Sequence, residues 1–412
     1  MKNSKIRVLH IIDEFGVRTE TFIYNYVSSM VKTKPIILTG KYSNRNDFPF
    51  HGKIYFVPTN QNRWSWLWFK NNIYKLTIGN SWRLKQIEKC MDEIKPHIIH
   101  AHFGPNGYDM IPIKEKYKIH LITSFYGYDM SSLPKNRRVR KKYTELFKYG
   151  DIFLTEGPHM REKLIELGAP EQKVRIQRIA INIDKYPEWE PSIEKNIILF
   201  VGRFVEKKGL IYALEAINIL IKEGYVLEFN IIGGGPLYKN IKKFIDKNQI
   251  GEYVNILGMK PHDMVINEIK EAHVFIHPSV TSSTGETEGG APTVLLEAQA
   301  IGTPIVTTFH ADIPNIVPND PGIILTEEKN IDALVNAIKT LLKRKSRISN
   351  SYVKKYHDIH NEVTILENMY KELLNEKSII AFKLKDIIQL DKSVHRIDGN
   401  SSGYNIYYYI NE

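Results

Sequence analysis

The chain of 412 residues is longer than one hydrophobic core comfortably fills, so two or three domains are expected. With 42% hydrophobic and 25% charged residues it reads as a folded globular chain, and no run of about 18 apolar residues offers a membrane span. Its single cysteine, Cys90, excludes an internal disulfide and a cysteine-rich zinc site, which suits a reducing, cytoplasmic compartment. The first apolar stretch meets Asp13 and Glu14 before it reaches the length of a signal core. The net charge of +11 is unevenly placed: residues 1–187 hold 32 Lys and Arg against 17 Asp and Glu, whereas the remainder holds 25 against 29. An anionic surface is therefore expected opposite the first half, either acidic lipid headgroups or nucleic acid.

In chain order, short runs rich in Ile, Val and aromatics read as strands at Arg7–Ile12, Pro35–Leu38, His97–Ala101, His120–Ser124 and Ile152–Thr155. Amphipathic stretches lie between them, among them Thr21–Val31, Ser81–Ile94 and Met160–Leu167. A polar, proline-containing stretch near Ile183–Ile193 reads as a linker. The alternation then restarts, with strands at Asn196–Val201, Glu228–Ile232, Val254–Leu257, Val274–His277 and Pro304–Thr307, and helices such as Leu210–Glu223 and Lys239–Asn248. Strands alternating with helices predict parallel sheets, and the restart predicts two Rossmann-like domains, 1–187 and 195–345. One or two closing helices are expected over 350–377, and the tail 378–412, with its aromatic YNIYYYI run, has no assigned role.

Two segments carry chemistry. In ILFVGRFVEKKGL (198–210) a strand ends at Val201, Gly202 permits close backbone approach, and Arg203 and Lys208 lie on one loop ahead of a helix. A guanidinium and an ammonium so placed suit a diphosphate, although an isolated loop of this kind is more often a solvated basic turn. In TEGGAPTVLLEAQAIGTPIV (287–306) Pro292 stands at a helix start, leaving the amides of Thr293 and Val294 open at the positive end of the helix dipole. Glu297 follows one turn later in a helix of small and apolar residues. A buried carboxylate there needs partners, and the two hydroxyls of a ribose would serve.

GRFVEKKGL followed some ninety residues later by TEGGAPTVLLEAQAIGTPIV resembles the retaining glycosyltransferases of family 4. FNIIGGGPL (229–237), VNILGMK (254–260) and AHVFIHPS (272–279) agree with it. RTETFIYNYV (18–27), IIHAHFGPNG (98–107) and TSFYGYD (123–129) in the first half are similar to the family more distantly, and its enzymes of bacterial exopolysaccharide and lipopolysaccharide synthesis are the nearest subset. The resemblance implies an α/β chain of the GT-B fold: two Rossmann-like domains facing across a central cleft, with C-terminal helices closing back toward the first. It implies a nucleotide sugar, UDP- or GDP-linked, as substrate, no separate cofactor, and a glycan or lipid-linked acceptor. By the same resemblance Arg203 and Lys208 clamp the diphosphate beside Gly202, Thr293 and Val294 support a phosphate, Glu297 holds the ribose, and Glu288 contacts the donor sugar. Gly16 and Asp129 join the site from the first domain, whose acceptor-contacting stretches are expected near Gly16–Phe22 and His100–Gly104.

Two departures from the family pattern bear on the sugar end. Eight residues rather than seven separate Glu288 from Glu297, which leaves Glu286 as a competitor for the first glutamate. Tyr126 stands where a histidine is usual before Gly-x-Asp, so a phenol that does not titrate near neutrality would contact the sugar. No Asp-x-Asp motif lies in a suitable loop, and no metal is expected.

Arg63–Lys70 (RWSWLWFK) and Lys135–Lys142 (KNRRVRKK) fit a headgroup boundary, so peripheral attachment to the inner face of the plasma membrane is expected. The alternatives are a buried helix and a solvated charged face. Nucleic-acid binding lacks an accompanying motif, and a dinucleotide site lacks the third glycine in GGGPL. A sugar-nucleotide binder without turnover would share the same residues.

Overall fold

A computed structural model describes residues 5–58, 82–192, 195–290, 292–344 and 346–375. The tryptophan-rich segment Arg63–Lys70 and the tail 378–412 lie outside the described residues. The chain divides into two compact units. The first takes the described residues of 1–156, 161–177 and 359–384, and the second takes those of 157–160, 178–358 and 385–412.

The first unit is built on a seven-stranded sheet. Its strands are β1 (Ile6–Phe15), β2 (Thr33–Tyr42), β3 (Lys53–Phe56), β4 (Ile98–His102), β5 (His120–Ser124), β6 (Ile152–Thr155) and β7 (Val174–Ile176), in the order 3-2-1-4-5-6-7. Every pairing is parallel. Strand β4 is buried along its whole length. Such strands are largely apolar because helices cover both faces, and the buried exceptions in β4 are His100 and His102. Helix α1 (Thr21–Ser29) follows β1, α2 (Trp82–Ile94) precedes β4, and α3 (Gly104–Asp109) and α4 (Ile111–Tyr117) link β4 to β5. Next come the one-turn α5 (Gly127–Ser131), α6 (Arg137–Tyr149) and α7 (Pro158–Glu166). In α6 only Tyr143, Leu146 and Phe147 are buried, three apolar side chains at helical spacing, while its first turns hold the KNRRVRKK cations.

The second unit has a six-stranded sheet of order 10-9-8-11-12-13, again parallel throughout. It comprises β8 (Ile197–Val201), β9 (Glu228–Ile232), β10 (Val254–Gly258), β11 (Val274–His277), β12 (Ile305–Thr308) and β13 (Ile323–Thr326). Its helices are α8 (Leu210–Lys222), α9 (Tyr238–Asn248), α10 (His262–Glu271), α11 (Thr293–Ile301), α12 (Ile331–Arg344) and α13 (Ser351–Tyr356). Helix α8 buries Leu210, Ala213, Leu214, Ile217 and Leu220, the spacing of one helical stripe, against Phe200, Phe229 and Ile231 of the sheet. In both sheets the strand order reverses beside the first strand, between β1 and β4 and between β8 and β11. Helices leave in opposite directions there, and a crevice opens at the carboxyl ends of the strands.

Helix α14 (Ile359–Leu374) is counted with the first unit, where it packs on α1 and where Glu367 accepts the Thr33 amide at 2.6 Å. The stretch read as a linker is an ordered strap on the second unit: Trp189 and Glu190 donate backbone amides to Ile301 and Lys270, and the Trp189 indole to Ala272. Three sheet-edge strands, β3, β7 and β13, are not among those expected from the sequence.

Candidate functional site

The β8–α8 connection places its cations by backbone geometry. After Gly202 and Arg203, a tight turn over Glu206–Lys208 ends at Gly209, whose φ of +68° is left-handed. A Cβ at Gly209 would stand 1.8 Å from the Pro278 carbonyl oxygen, so glycine lets this turn press against the end of β11. Gly233 acts similarly below, where a Cβ would meet the Gly202 carbonyl at 1.9 Å. The result brings Lys207 and Lys208 to the crevice between β8 and β11.

Lys208 Nζ lies 2.8 Å from Glu288 Oε1, with the two side chains only 14% and 7% exposed. Ser279 Oγ donates to the same carboxylate at 3.0 Å, and His277 Nε2 lies 3.7 Å away, close enough for charge but beyond hydrogen bonding. Burial would raise the Glu288 carboxyl, but Lys208, with His277 and Lys207, outweighs it and holds the group well below the usual carboxylate range. Burial holds His277 below its ordinary value, and neither of its ring nitrogens has a hydrogen-bond partner among the described residues. The competitor Glu286 pairs instead with Lys207, 2.7 Å away. Glu286 and Glu288 are thus neutralised by the two adjacent lysines, and Glu288 occupies the deeper position.

Helix α11 begins at Thr293 behind Pro292 with no side-chain cap. The amides of Thr293 and Val294 belong to its first turn and have no intrahelical acceptor. Glu297, one turn on, is buried, and its Oε1 is met by His262 Nε2 at 2.9 Å and Tyr186 Oη at 3.4 Å. The Glu297 hydrogen bond, set against burial, raises His262 above its ordinary value. Arg203 is exposed and has no ion pair or side-chain hydrogen bond among the described residues. This end of the second unit therefore offers one free guanidinium, two lysines, an open helix terminus and two buried carboxylates. The arrangement suits a polyanion carrying hydroxyl groups.

In the first unit, Gly16 ends β1 at a φ of +79°, and its carbonyl accepts from Asn44 at 2.9 Å. Asp129 is fully buried and directs both oxygens at backbone amides, Oδ2 at Gly104 (2.7 Å) and Oδ1 at Tyr126 (2.6 Å). Burial pushes its carboxyl up to about 7 although those amides pull it down. Its carboxylate is spent on holding two loops together, so a ligand would meet those loops and not Asp129 itself. The Tyr126 ring is half-buried between Phe22 and Phe103, at centroid distances of 4.9 and 4.7 Å. Its hydroxyl lies 2.8 Å from His102 Nδ1.

Several site neighbours escape a reading by motif. Lys207 was adjacent to a chosen residue and differs only in where its turn points it. His277 and Ser279 stand together at the end of β11, inside the AHVFIHPS stretch, whereas Tyr186 and His262 come from separate segments with no shared spacing to reveal them. His310 accepts the Glu288 amide at Nε2 and pairs through Nδ1 with Glu328 at 2.6 Å. His100 and His102 did carry a signal: alternate residues of a strand share one face.

The family description "Glycosyltransferase Family 4" matches residues 20–185, and "Glycosyl transferases group 1" matches residues 184–361. The putative colanic acid biosynthesis glycosyltransferase WcaL of Escherichia coli K12 is 33% identical over 243 residues, 58% of this chain and 59% of that protein. The amylovoran biosynthesis glycosyltransferase AmsK of Erwinia amylovora is 33% identical over 215 residues, 52% of this chain and 53% of that protein. The alignments thus span somewhat over half the length of these curated relatives. Among solved structures, Anabaena HepE in complex with UDP and glucose superposes with a TM-score of 0.70 at 12% identity, over 89% of this chain and 99% of that one, which speaks for the fold alone. Of the two parallel Rossmann-like units, the first thus carries a "Glycosyltransferase Family 4" domain and the second a "Glycosyl transferases group 1" domain, and together they have the GT-B fold.

Proposed function

We propose that the chain is a retaining glycosyltransferase that moves a sugar from a UDP- or GDP-linked donor to a glycan or lipid-linked acceptor in bacterial surface polysaccharide synthesis. The observation that carries this reading is the buried Lys208–Glu288 pair beside the open start of α11, at the strand-order switch of the second sheet. In this reading the donor diphosphate draws Lys208 and Arg203 to itself and takes the amides of Thr293 and Val294 at the helix end. Glu288, released from Lys208, turns to a hydroxyl of the donor sugar, and Glu297 exchanges His262 for the ribose diol. Polysaccharide synthesis is supported by the names of WcaL and AmsK.

Retention follows a front-face displacement. The bond from the anomeric carbon to the diphosphate oxygen breaks, the acceptor oxygen bonds to that carbon on the same face, and its proton passes to the departing diphosphate. Negative charge builds on the diphosphate, where the guanidinium, the ammonium groups and the helix terminus are already placed, so stabilisation needs little reorganisation. These groups supply the positive charge that a divalent cation supplies elsewhere, and transfer is expected to persist in EDTA.

Asp129 acts in this scheme by fixing the Gly104 and Tyr126 loops. The basic first turns of α6, with Arg137, Arg138, Lys141 and Lys142 exposed, support contact with an anionic membrane surface. Among the described residues no helix is long and apolar enough to cross a membrane. The deciding experiment is transfer from a panel of nucleotide sugars with the product anomer read by NMR. Retained configuration without added metal is expected; an inverted product, or no transfer from any donor that stabilises the protein, overturns the reading.

A further inference from the structure

Behind Tyr126 lies a buried cluster that the donor chemistry does not use. His10 on β1 and His100 on β4 are paired in register, and His102 follows two residues later on the same strand face. Ring nitrogens of the three lie within 4.8 Å of one another. Such a cluster could hold a metal ion or form a hydrogen-bonded chain, and the ring planes distinguish the two.

An imidazole lone pair lies in the plane of its ring, so a shared ion must lie in the plane of every ring that binds it. His100 and His102 are stacked, with centroids 4.6 Å apart and planes inclined by only 17°, so their lone pairs run in separate, nearly parallel planes. His10 and His102 instead point nitrogen to nitrogen: Nδ1 to Nε2 is 3.1 Å, with centroids 5.4 Å apart. Both nitrogens of His100 are taken by hydroxyls, Nδ1 by Tyr370 at 2.6 Å and Nε2 by Ser124 at 2.7 Å. The geometry is that of hydrogen bonding.

The chain His10–His102–Tyr126 has a direction. Burial holds His10 well below its ordinary value and pushes His102 down to about 3, so each ring is neutral and carries one proton. His10 Nε2 is buried without a partner among the described residues. The tautomer that leaves no buried N–H unpaired has Nε2 as the bare nitrogen and the His10 proton on Nδ1. It donates to His102 Nε2, which leaves the His102 proton on Nδ1, donating to the Tyr126 oxygen. The phenol oxygen is then an acceptor within the protein, and its own hydrogen is left to be given elsewhere.

We propose that the buried pair His10–His102 commits the Tyr126 hydroxyl to donate a hydrogen bond to an oxygen atom of the bound saccharide or its phosphate. His102 and His10 are positioning residues in this scheme, and it rests on the reading that Tyr126 faces the sugar. It gives a physical reason for a phenol where an imidazole is usual: a neutral imidazole can present either a donor or a bare nitrogen, whereas this phenol presents a donor of set direction at any pH near neutrality.

The test is the tautomer itself. Long-range proton–nitrogen NMR of the whole chain labelled with 15N-histidine, with the His102 signals assigned by their shift in Tyr126→Phe, should show His102 protonated on Nδ1. Protonation on Nε2 overturns the proposal whatever the activity. The kinetic companion is a variant series. An asparagine amide reaches the Nδ1 position, whereas a glutamine amide reaches only Nε2. His102→Asn should keep most of kcat, and His102→Gln should lose about tenfold, as Tyr126→Phe does, which is the scale of one lost hydrogen bond. The double variant should lose no more than Tyr126→Phe alone; an additive loss would show that His102 acts other than through the phenol and would overturn the positioning role. An Nδ1 tautomer with unimpaired Tyr126→Phe would leave the chain intact and instead refute the placement of Tyr126 at the sugar.

Discussion

Replacing Lys208 by alanine removes the cation that neutralises Glu288 and leaves a buried carboxylate behind. At the observed 2.8 Å, two unit charges in an effective dielectric near 20 attract by about 6 kcal/mol before desolvation is subtracted. Breaking one side of such a buried pair costs about 3–5 kcal/mol. Ser279 still donates to Glu288 and Lys207 remains nearby, so the lower end applies, about 3 kcal/mol. For a unit of this size that is a fall in Tm of about 6–12 °C. The companion variant Lys208→Ala/Glu288→Gln removes the orphaned charge and should recover most of the loss. The pH dependence has a definite sign. Lys208 depresses the folded-state Glu288 pKa, so its contribution is complete above the unfolded carboxylate range and vanishes as pH falls through the depressed value. The difference in Tm between wild type and Lys208→Ala should therefore be large at pH 7 and shrink below pH ~4. Scanning calorimetry of the four members of the cycle, followed by transfer kinetics on those that fold, separates stability from catalysis. Equal Tm for Lys208→Ala and the double variant would refute the buried-pair argument, and unchanged kcat/KM in Lys208→Ala would refute the diphosphate clamp.

Glu297 raises His262, so the stabilisation by that pair is present below pH ~6.5 and lost as pH climbs through the raised value. Wild type should exceed His262→Gln in Tm at pH 6 and match it well above neutrality, and a gap that widens with pH would contradict the assignment. Gly209→Ala forces a Cβ into the Pro278 carbonyl at a left-handed φ and should cost at least about 2 kcal/mol, checked by urea denaturation. Reversing Arg137, Arg138 and Lys141 to glutamate should weaken binding to anionic vesicles by about a hundredfold or more at low salt, at about 1 kcal/mol for each charge removed, with the circular dichroism spectrum unchanged. Vesicle affinity indifferent to those reversals would remove α6 from the membrane contact.

Much of the architecture was readable because it is local. The strands His120–Ser124, Ile152–Thr155, Glu228–Ile232 and Val274–His277 match the expected runs end for end, since strands covered on both faces are rich in apolar residues. The edge strands β3 and β7 escaped because they are partly exposed and carry Lys53 and Arg175, whereas the equally short inner strands β6 and β11 are mostly buried and carry no charged residue. The segment 183–192 looked like a linker because it is polar with two prolines, yet its backbone amides find acceptors on the second unit, and acceptors supplied from a distance leave no mark on composition.

The same division runs through the site. The sequence alone determined which residues carry charge at the ends of β8 and β11, and where the helix behind Pro292 must start, because glycine turns and helix termini are consequences of a few adjacent residues. Only the tertiary structure decided how those charges pair. Lys207 and Lys208 are neighbours in the chain but serve different carboxylates, Glu286 and Glu288. His10 meets His102 across 92 residues because parallel strands β1 and β4 lie side by side in register. Pairings of that kind arise from chain crossing, and a linear text holds the partners without holding the distance between them.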